Sequence, residues 1–161
     1  MSQGAKAAIF GNVLEKTVEG TLLGHEYILV GDNSPKKQRL RILSSYIASS
    51  KRYTRQVYIG QGIYGTDIYT DFFIMGTPKI PSGLIIECKW QQTNGSVDEK
   101  LPYVNLNIQT CYPAPTIVLI DGGGMKPGAI AWLKAQVGIN QNLLAVHTLS
   151  SFVAWANKNI C

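Results

Sequence analysis

Apolar residues Ala8, Ile9, Val13, Leu14, Val18 and Leu22 recur every three to four positions between Ala5 and about Leu23, the period of an amphipathic helix. Gly24 is placed to stop it. His25 to Val30 then reads as a short strand, and Gly31-Asp32-Asn33-Ser34-Pro35 as a turn into a helix from Lys36 to about Ser49. From Arg55 to Leu84 the chain is rich in Tyr, Ile, Thr and Phe and broken by glycines and prolines, which predicts consecutive strands. The clearest are Val57 to Gly60, Ile68 to Met75 and Gly83 to Gln91. Val97 to about Gln109 looks helical, with Pro102 at a kink or break. The continuous apolar run Thr116 to Ile120 predicts a central strand buried on both faces. Pro127 suits the first turn of a helix through Ala135, and a strand at Leu143 to Val146 and a helix at Ser150 to Asn157 follow. Helices bracketing a mixed sheet imply a three-layer α/β/α fold.

Composition narrows the setting. With 161 residues and 45% apolar content the chain suffices for one compact domain, taken as residues 1–161. No apolar run approaches the roughly 18 residues of a membrane span, and the opening MSQGAKAAIFGN lacks the apolar stretch of a signal peptide. A soluble, cytoplasmic protein is therefore expected. Fifteen Lys and Arg against ten Asp and Glu give a net charge of +5, which favours a polyanionic partner. Cys88, Cys111 and Cys161 are odd in number and lack CxxC spacing, so neither a disulfide framework nor a zinc site is indicated. His25 and His147 stand far apart, with no HExxH or Cys/His pairing around them, and read as structural or surface residues.

The segment with chemistry in it is Gly83-Leu84-Ile85-Ile86-Glu87-Cys88-Lys89-Trp90-Gln91-Gln92. Strand alternation projects Glu87, Lys89 and Gln91 to one side and Ile86, Cys88 and Trp90 to the other. A buried charge without a partner is costly, so Glu87 and Lys89 should pair with each other or serve a metal and an anionic substrate. Asp71 heads the apolar run Phe72 to Met75, and an antiparallel pairing through the Gly76 to Ser82 turn would set it beside Glu87. Asp71, Glu87 and the backbone carbonyl of Cys88 would make a hard oxygen site suited to Mg²⁺ or Mn²⁺. Asp67, after Gly65-Thr66, is the competing candidate for the first acid; Asp71 is preferred because it directly precedes the hydrophobic run.

An acidic residue at a strand start, a turn, and an acidic-x-Lys triplet on the next strand resembles the signature of the PD-(D/E)XK nucleases. Thr70 stands where that signature has proline. The resemblance extends over most of the chain. Gly11-Asn12-Val13-Leu14-Glu15 is similar to the first-helix segment whose glutamate approaches the metals, Val97-Asp98-Glu99-Lys100-Leu101-Pro102-Tyr103 to an EK-x-PY helix, and Thr116 to Trp132 to the following strand-loop-helix. The fold it implies is restriction-endonuclease-like.

That resemblance implies metal-assisted hydrolysis of phosphodiester bonds in double-stranded DNA, of homing or restriction type. Asp71 and Glu87 would hold Mg²⁺, Lys89 would orient or deprotonate the attacking water or stabilise the transition state, Gln91 would position the lysine or a water, and Glu15 could hold a second ion. Cutting both strands at once needs two sites, so a homodimer or homotetramer is expected. A junction resolvase on the same core, or a non-cutting DNA-binding domain of the same fold, are the alternatives. The basic residues Lys36, Lys37, Arg39, Arg41, Lys51, Arg52, Arg55 and Lys100 are the candidate DNA contacts, against a plain reading as a solvated basic face.

Two other motifs fail on context. Tyr58-Ile59-Gly60 precedes Gly62-Ile63-Tyr64, the reverse of the order in GIY-YIG nucleases, and Gly122-Gly123-Gly124 lacks the Gly-Lys-Ser/Thr ending of a phosphate loop. A tight strand-to-helix turn accounts for the three glycines.

Overall fold

The first helix, α1 (Gln3–Gly24), ends where Gly24 placed its stop. The computed structural model describes the backbone of residues 3–161 and the side chains of residues 13–161. Ala8 and Ile9, part of the expected helical stripe, therefore have side chains outside the described residues. Leu14, Val18 and Leu22 are fully buried, as the helical period requires. The expected strand from His25 to Val30 shrinks to β1 (Ile28–Leu29). Its leading residues are used to close the helix: the His25 amide returns to the carbonyls of Thr21 and Leu22, Tyr27 to that of Leu22, and Glu26 takes a left-handed φ of 69°.

The helix expected over Lys36 to Ser49 is a 3-10 turn, Lys36–Gln38, followed by the short α2 (Arg39–Ser45). Its early end has a visible cause. The guanidinium of Arg52 donates to the carbonyls of Leu43, Ala48 and Ser50, which gives the open C-terminal groups partners without further helix. Likewise, Asp98–Lys100 is a 3-10 turn and α3 (Leu101–Thr110) begins after it, so Pro102 sits in a first helical turn and causes no kink.

Among the described residues, six strands form one sheet in the order of the chain: β1, β2 (Arg52–Gln61), β3 (Asp67–Met75), β4 (Leu84–Trp90), β5 (Thr116–Asp121) and β6 (Leu143–His147). β3 runs antiparallel to both of its neighbours, β2 and β4, while β1 is parallel to β2, and β4, β5 and β6 are mutually parallel. α1 and α5 (Leu149–Asn159) cover one face, where Val18, Leu22, Phe152 and Ala156 pack on Phe72, Ile86, Ile117 and Leu119. α3 and α4 (Pro127–Gln136) cover the other around Val118, Ile120 and Leu133, and Leu43 of α2 adds to it beside Phe73 and Ile85. β5 thus feeds both cores, the arrangement its continuous apolar run predicts. The fold is a three-layer α/β/α sandwich with a central mixed sheet.

The sheet splits at one place. β2 and β3 stay paired from Arg52↔Met75 to Gln61↔Asp67, and β4 and β5 from Ile85↔Thr116 to Trp90↔Asp121. Between them, β3 and β4 pair only at Ile74↔Leu84, Phe73↔Ile85 and Phe72↔Ile86. Beyond Phe72 and Ile86 the two strands diverge and open a fork, and the next residues on its two arms are Asp71 and Glu87.

The three-glycine loop closes the far end of β4. A side-chain carbon on Gly122, whose φ is 106°, would sit 2.5 Å from the Gln91 carbonyl oxygen, and one on Gly124 would strike Gln92 and Thr93. Gly124 donates its amide to the Gln91 carbonyl at 2.7 Å. Close backbone approach, rather than phosphate binding, explains these glycines. No helix of the described residues is long and apolar enough to cross a membrane.

Candidate active site

The fork leaves one strand edge without a sheet partner. Ile85 and Gln91 donate their amides to Pro115 and Asp121, toward β5. By the two-residue period of a strand, the amide and carbonyl of Cys88 point the opposite way, into the fork. A buried amide there needs an acceptor. Asp71 supplies it: its Oδ2 accepts from the Cys88 amide at 2.7 Å. The Cys88 carbonyl faces the same opening, while its thiol packs into the α1–α5 core. Burial, reinforced by Asp71 and Glu15, pushes that thiol well above its ordinary pKa, so Cys88 brings a backbone oxygen to the site and not a thiolate.

Glu87 and Lys89 project together onto the other face. The Glu87 side chain is 4% exposed and that of Lys89 28%, and Lys89 Nζ lies 3.5 Å from Glu87 Oε2. Tyr112, just past the end of α3, donates its hydroxyl to Glu87 Oε1 at 2.7 Å. The Glu87 carboxyl is raised from 4.5 to about 7, the net of burial and Asp71, which push it up, against Lys89 and the Tyr112 hydrogen bond, which pull it down. For Lys89, burial pulls the ammonium down, but Glu87 and Asp71 outweigh it and the net shift is upward. Tyr112 is itself driven up by burial and by Glu87, which keeps it a hydroxyl donor.

Glu15, on α1, comes close enough for Asp71 to act on it: burial first, then the Asp71 charge, raise its carboxyl, with Arg55 opposing. Glu15 and Glu87 therefore each feel the charge of Asp71. Among the described residues, however, no group of three His, Cys, Asp or Glu side chains stands in position to hold a metal together. The oxygens available to a divalent cation are those of Asp71, Glu87 and the Cys88 carbonyl. These hard donors, with one carboxyl held up near 7 by burial in a field of like charge, fit a small divalent cation.

A family model described as a PD-(D/E)XK nuclease superfamily domain matches residues 6–160. The chain belongs to the PD-(D/E)XK nuclease superfamily. The searches of curated proteins and of solved structures return no match. Nucleases of this superfamily generally use divalent metals.

The other expected site residues divide into those the fork gathers and those it does not. Asp67 lies at the distal end of β3, paired with Gln61 and bonded to Lys37 at 3.1 Å, so Asp71 is the acid that reaches β4. Gln91 follows β4 and is buried, but its amide donates to the Gly124 carbonyl at 3.1 Å and accepts from Val97 at 2.9 Å. It braces the glycine loop against the residue that opens the 3-10 turn before α3, and both ends of its amide are occupied.

Several of the expected DNA contacts already hold partners within the chain, and of these Arg52 is buried. Arg52 is 4% exposed and holds the end of α2. Arg39 donates to the carbonyls of Asp32, Ser34 and Arg55. Lys51 donates to the His25 carbonyl and lies over the Tyr27 ring. Arg55 is clamped by Asp32 and Glu19. Lys36, Lys37, Arg41 and Lys100 are exposed. Tyr112 escaped the sequence reading, since nothing in Cys111-Tyr112-Pro113 marks a residue that will fold back onto a strand distant in the chain.

Proposed function

We propose that the chain is a Mg²⁺-dependent endonuclease that cuts double-stranded DNA at defined sites, in the manner of a homing or restriction enzyme. The observation that supports this reading most is the meeting of Asp71, Glu87 and Lys89 at a fork where the sheet leaves a backbone carbonyl and two carboxylates without enough countercharge. Superfamily membership agrees with it.

In this reading Asp71 and Glu87 hold the cation, with Cys88 contributing its carbonyl. A bound divalent cation neutralises charge on the phosphate oxygens and acidifies water at the site. Lys89 leaves its 3.5 Å contact with Glu87 Oε2 to face the scissile phosphate, where its ammonium stabilises the developing charge or orients the attacking water. Tyr112 keeps Glu87 aligned through the opposite oxygen. Glu15 is the further acid that would serve a second ion. Two copies, each with one such site, would cut the two strands together, so a homodimer or homotetramer is part of the proposal.

Purified protein incubated with plasmid and genomic DNA, in Mg²⁺ or in EDTA, tests it. Discrete fragments that depend on Mg²⁺ are expected. Cutting confined to four-way junctions would transfer the reading to a resolvase, and the absence of metal-dependent cleavage of any DNA would refute it.

A further inference from the structure

The fork that exposes Asp71 also frees the distal half of the β2–β3 hairpin from the sheet. β1 pairs only with Arg52 and Tyr53, and β4 lets go of β3 after Phe72, so residues 57–70 are a two-stranded ribbon with no further strand beside it. A left-handed Gln56, φ 51°, and a register shift between Tyr58 and Gly60 bend it away.

The ribbon is held in one pose. At its tip the Ile63 amide donates to Asn107 Oδ1 at 2.9 Å, and Tyr64 stacks on Tyr103 of α3 with ring centroids 5.0 Å apart. At its base Tyr58 and Tyr69 face each other across the strands at 5.6 Å, with Lys37 over the Tyr58 ring and Lys36 over the Tyr69 ring. Tyr64 is 76% exposed and Tyr69 41%. Arg41 lines, with Lys37 and Tyr58, a shallow groove beside the ribbon. The ribbon is pinned, carries exposed polar and aromatic side chains, is flanked by Lys36 and Arg41, and is continuous with Asp71 at its root. Two paired strands about 5 Å apart fit the major groove of B-form DNA, about 12 Å wide.

We infer that the distal β2–β3 ribbon, residues 57–70, is the arm that reads duplex DNA in the major groove, with Lys36 and Arg41 holding the phosphate backbone beside it, while Lys37 is engaged by Asp67 of the ribbon itself. The choice of DNA as partner rests on the nuclease reading; the placement of the contact does not. The pinned tip means that docking does not have to order a loose loop, which lowers the entropic cost of binding. Phosphate contacts from Lys36 and Arg41 set position, and ribbon side chains set preference among sequences.

The test measures binding without cutting. Lys89→Ala protein in Ca²⁺ buffer is offered a library of randomised duplexes, and the selected duplex is then titrated against K89A carrying Tyr64→Ala, Gln61→Ala, Lys36→Gln or Arg41→Gln. Y64A and Q61A, both at exposed positions, are expected to weaken the selected duplex about tenfold and relax its preference at particular base pairs. K36Q and R41Q should weaken all duplexes alike and each lower the salt slope by about 1. Unchanged preference in both ribbon variants, or tighter binding of single-stranded than duplex DNA, overturns the inference. Because binding alone is read, a wild-type chain that binds through the ribbon yet never cuts would fail the nuclease reading and leave this one standing.

Discussion

Two charged networks on this sheet use nearly the same parts and end in opposite states. On β2, Arg55 grips Asp32 through both oxygens at 2.8 and 3.1 Å and Glu19 at 2.8 Å, while the Tyr53 hydroxyl donates to Glu19 at 2.5 Å. On β4, Lys89 meets Glu87 at a loose 3.5 Å, Tyr112 takes the other oxygen, and Asp71 adds a second negative charge. In the first network the hydrogen bond from Arg55 holds Asp32 below the usual carboxylate range. In the second, burial holds Glu87 up at about 7. Charges that satisfy one another tie α1 and the Asp32 turn to the sheet; charges left short of partners are available to a metal and a substrate.

The largest effect should come from the under-satisfied network and be chemical. Lys89→Ala is expected to lower the cleavage rate about 10²–10³-fold with an unchanged circular-dichroism spectrum and melting temperature; a comparable loss of stability would mean that the lysine is merely structural. Arg52→Ala should do the reverse. Its guanidinium, buried and bonded to three carbonyls, is expected to cost about 2–4 kcal/mol in urea unfolding while the surviving folded protein keeps its DNA affinity. Arg55→Met, with a side chain 39% exposed, should cost less, about 1–2 kcal/mol after allowing for solvent screening. Equal stability in the two arginine variants would blur the contrast between buried and half-exposed cations.

Acidity sharpens the comparison further. Because the folded Glu87 carboxyl is raised from 4.5 to about 7, the folded state binds the extra proton between those values. Its contribution to stability is therefore complete below about pH 4.5 and is lost as pH rises through about 7. Glu87→Gln should flatten this part of the stability profile in metal-free buffer, measured by denaturant unfolding across pH. A profile that still falls in the variant would place the titrating group elsewhere. Tyr112→Phe is the mildest change: removing one hydrogen bond to a carboxylate should slow cleavage about tenfold, with partial recovery at higher Mg²⁺ if the hydroxyl acts by aligning Glu87.

The same contrast explains what could be read in advance. β4 and β5 were legible because burial imposes a period on them: alternate faces at Glu87, Cys88 and Lys89, and apolar residues on both faces from Thr116 to Ile120. The grouping of Glu87 with Lys89 followed from that period, whereas Asp71 was chosen for its place just before the apolar run of β3. The basic residues were not legible in the same way, because a cation written in the sequence looks alike whether it meets solvent, as Arg41 does, or backbone carbonyls, as Arg52 does. Arg52 accordingly joined the expected DNA contacts although it is buried against carbonyls, and Arg39, Lys51 and Arg55 joined them although each also holds a partner within the chain. β1 was cut short by helix closure at Glu26, a local competition that propensity does not register. Tyr112 and the fork itself depend on which strands separate in three dimensions, and no window of sequence contains that information.

Calorimetric titration of Mn²⁺ into the wild-type protein, Asp71→Asn and Asp67→Asn at pH 8 bears most directly on the claim that the fork between β3 and β4 is the working site. Binding by the wild type and by D67N, with loss in D71N while the melting temperature is kept, is the predicted result. Binding retained by D71N and lost in D67N, or no binding by the wild type, would contradict it.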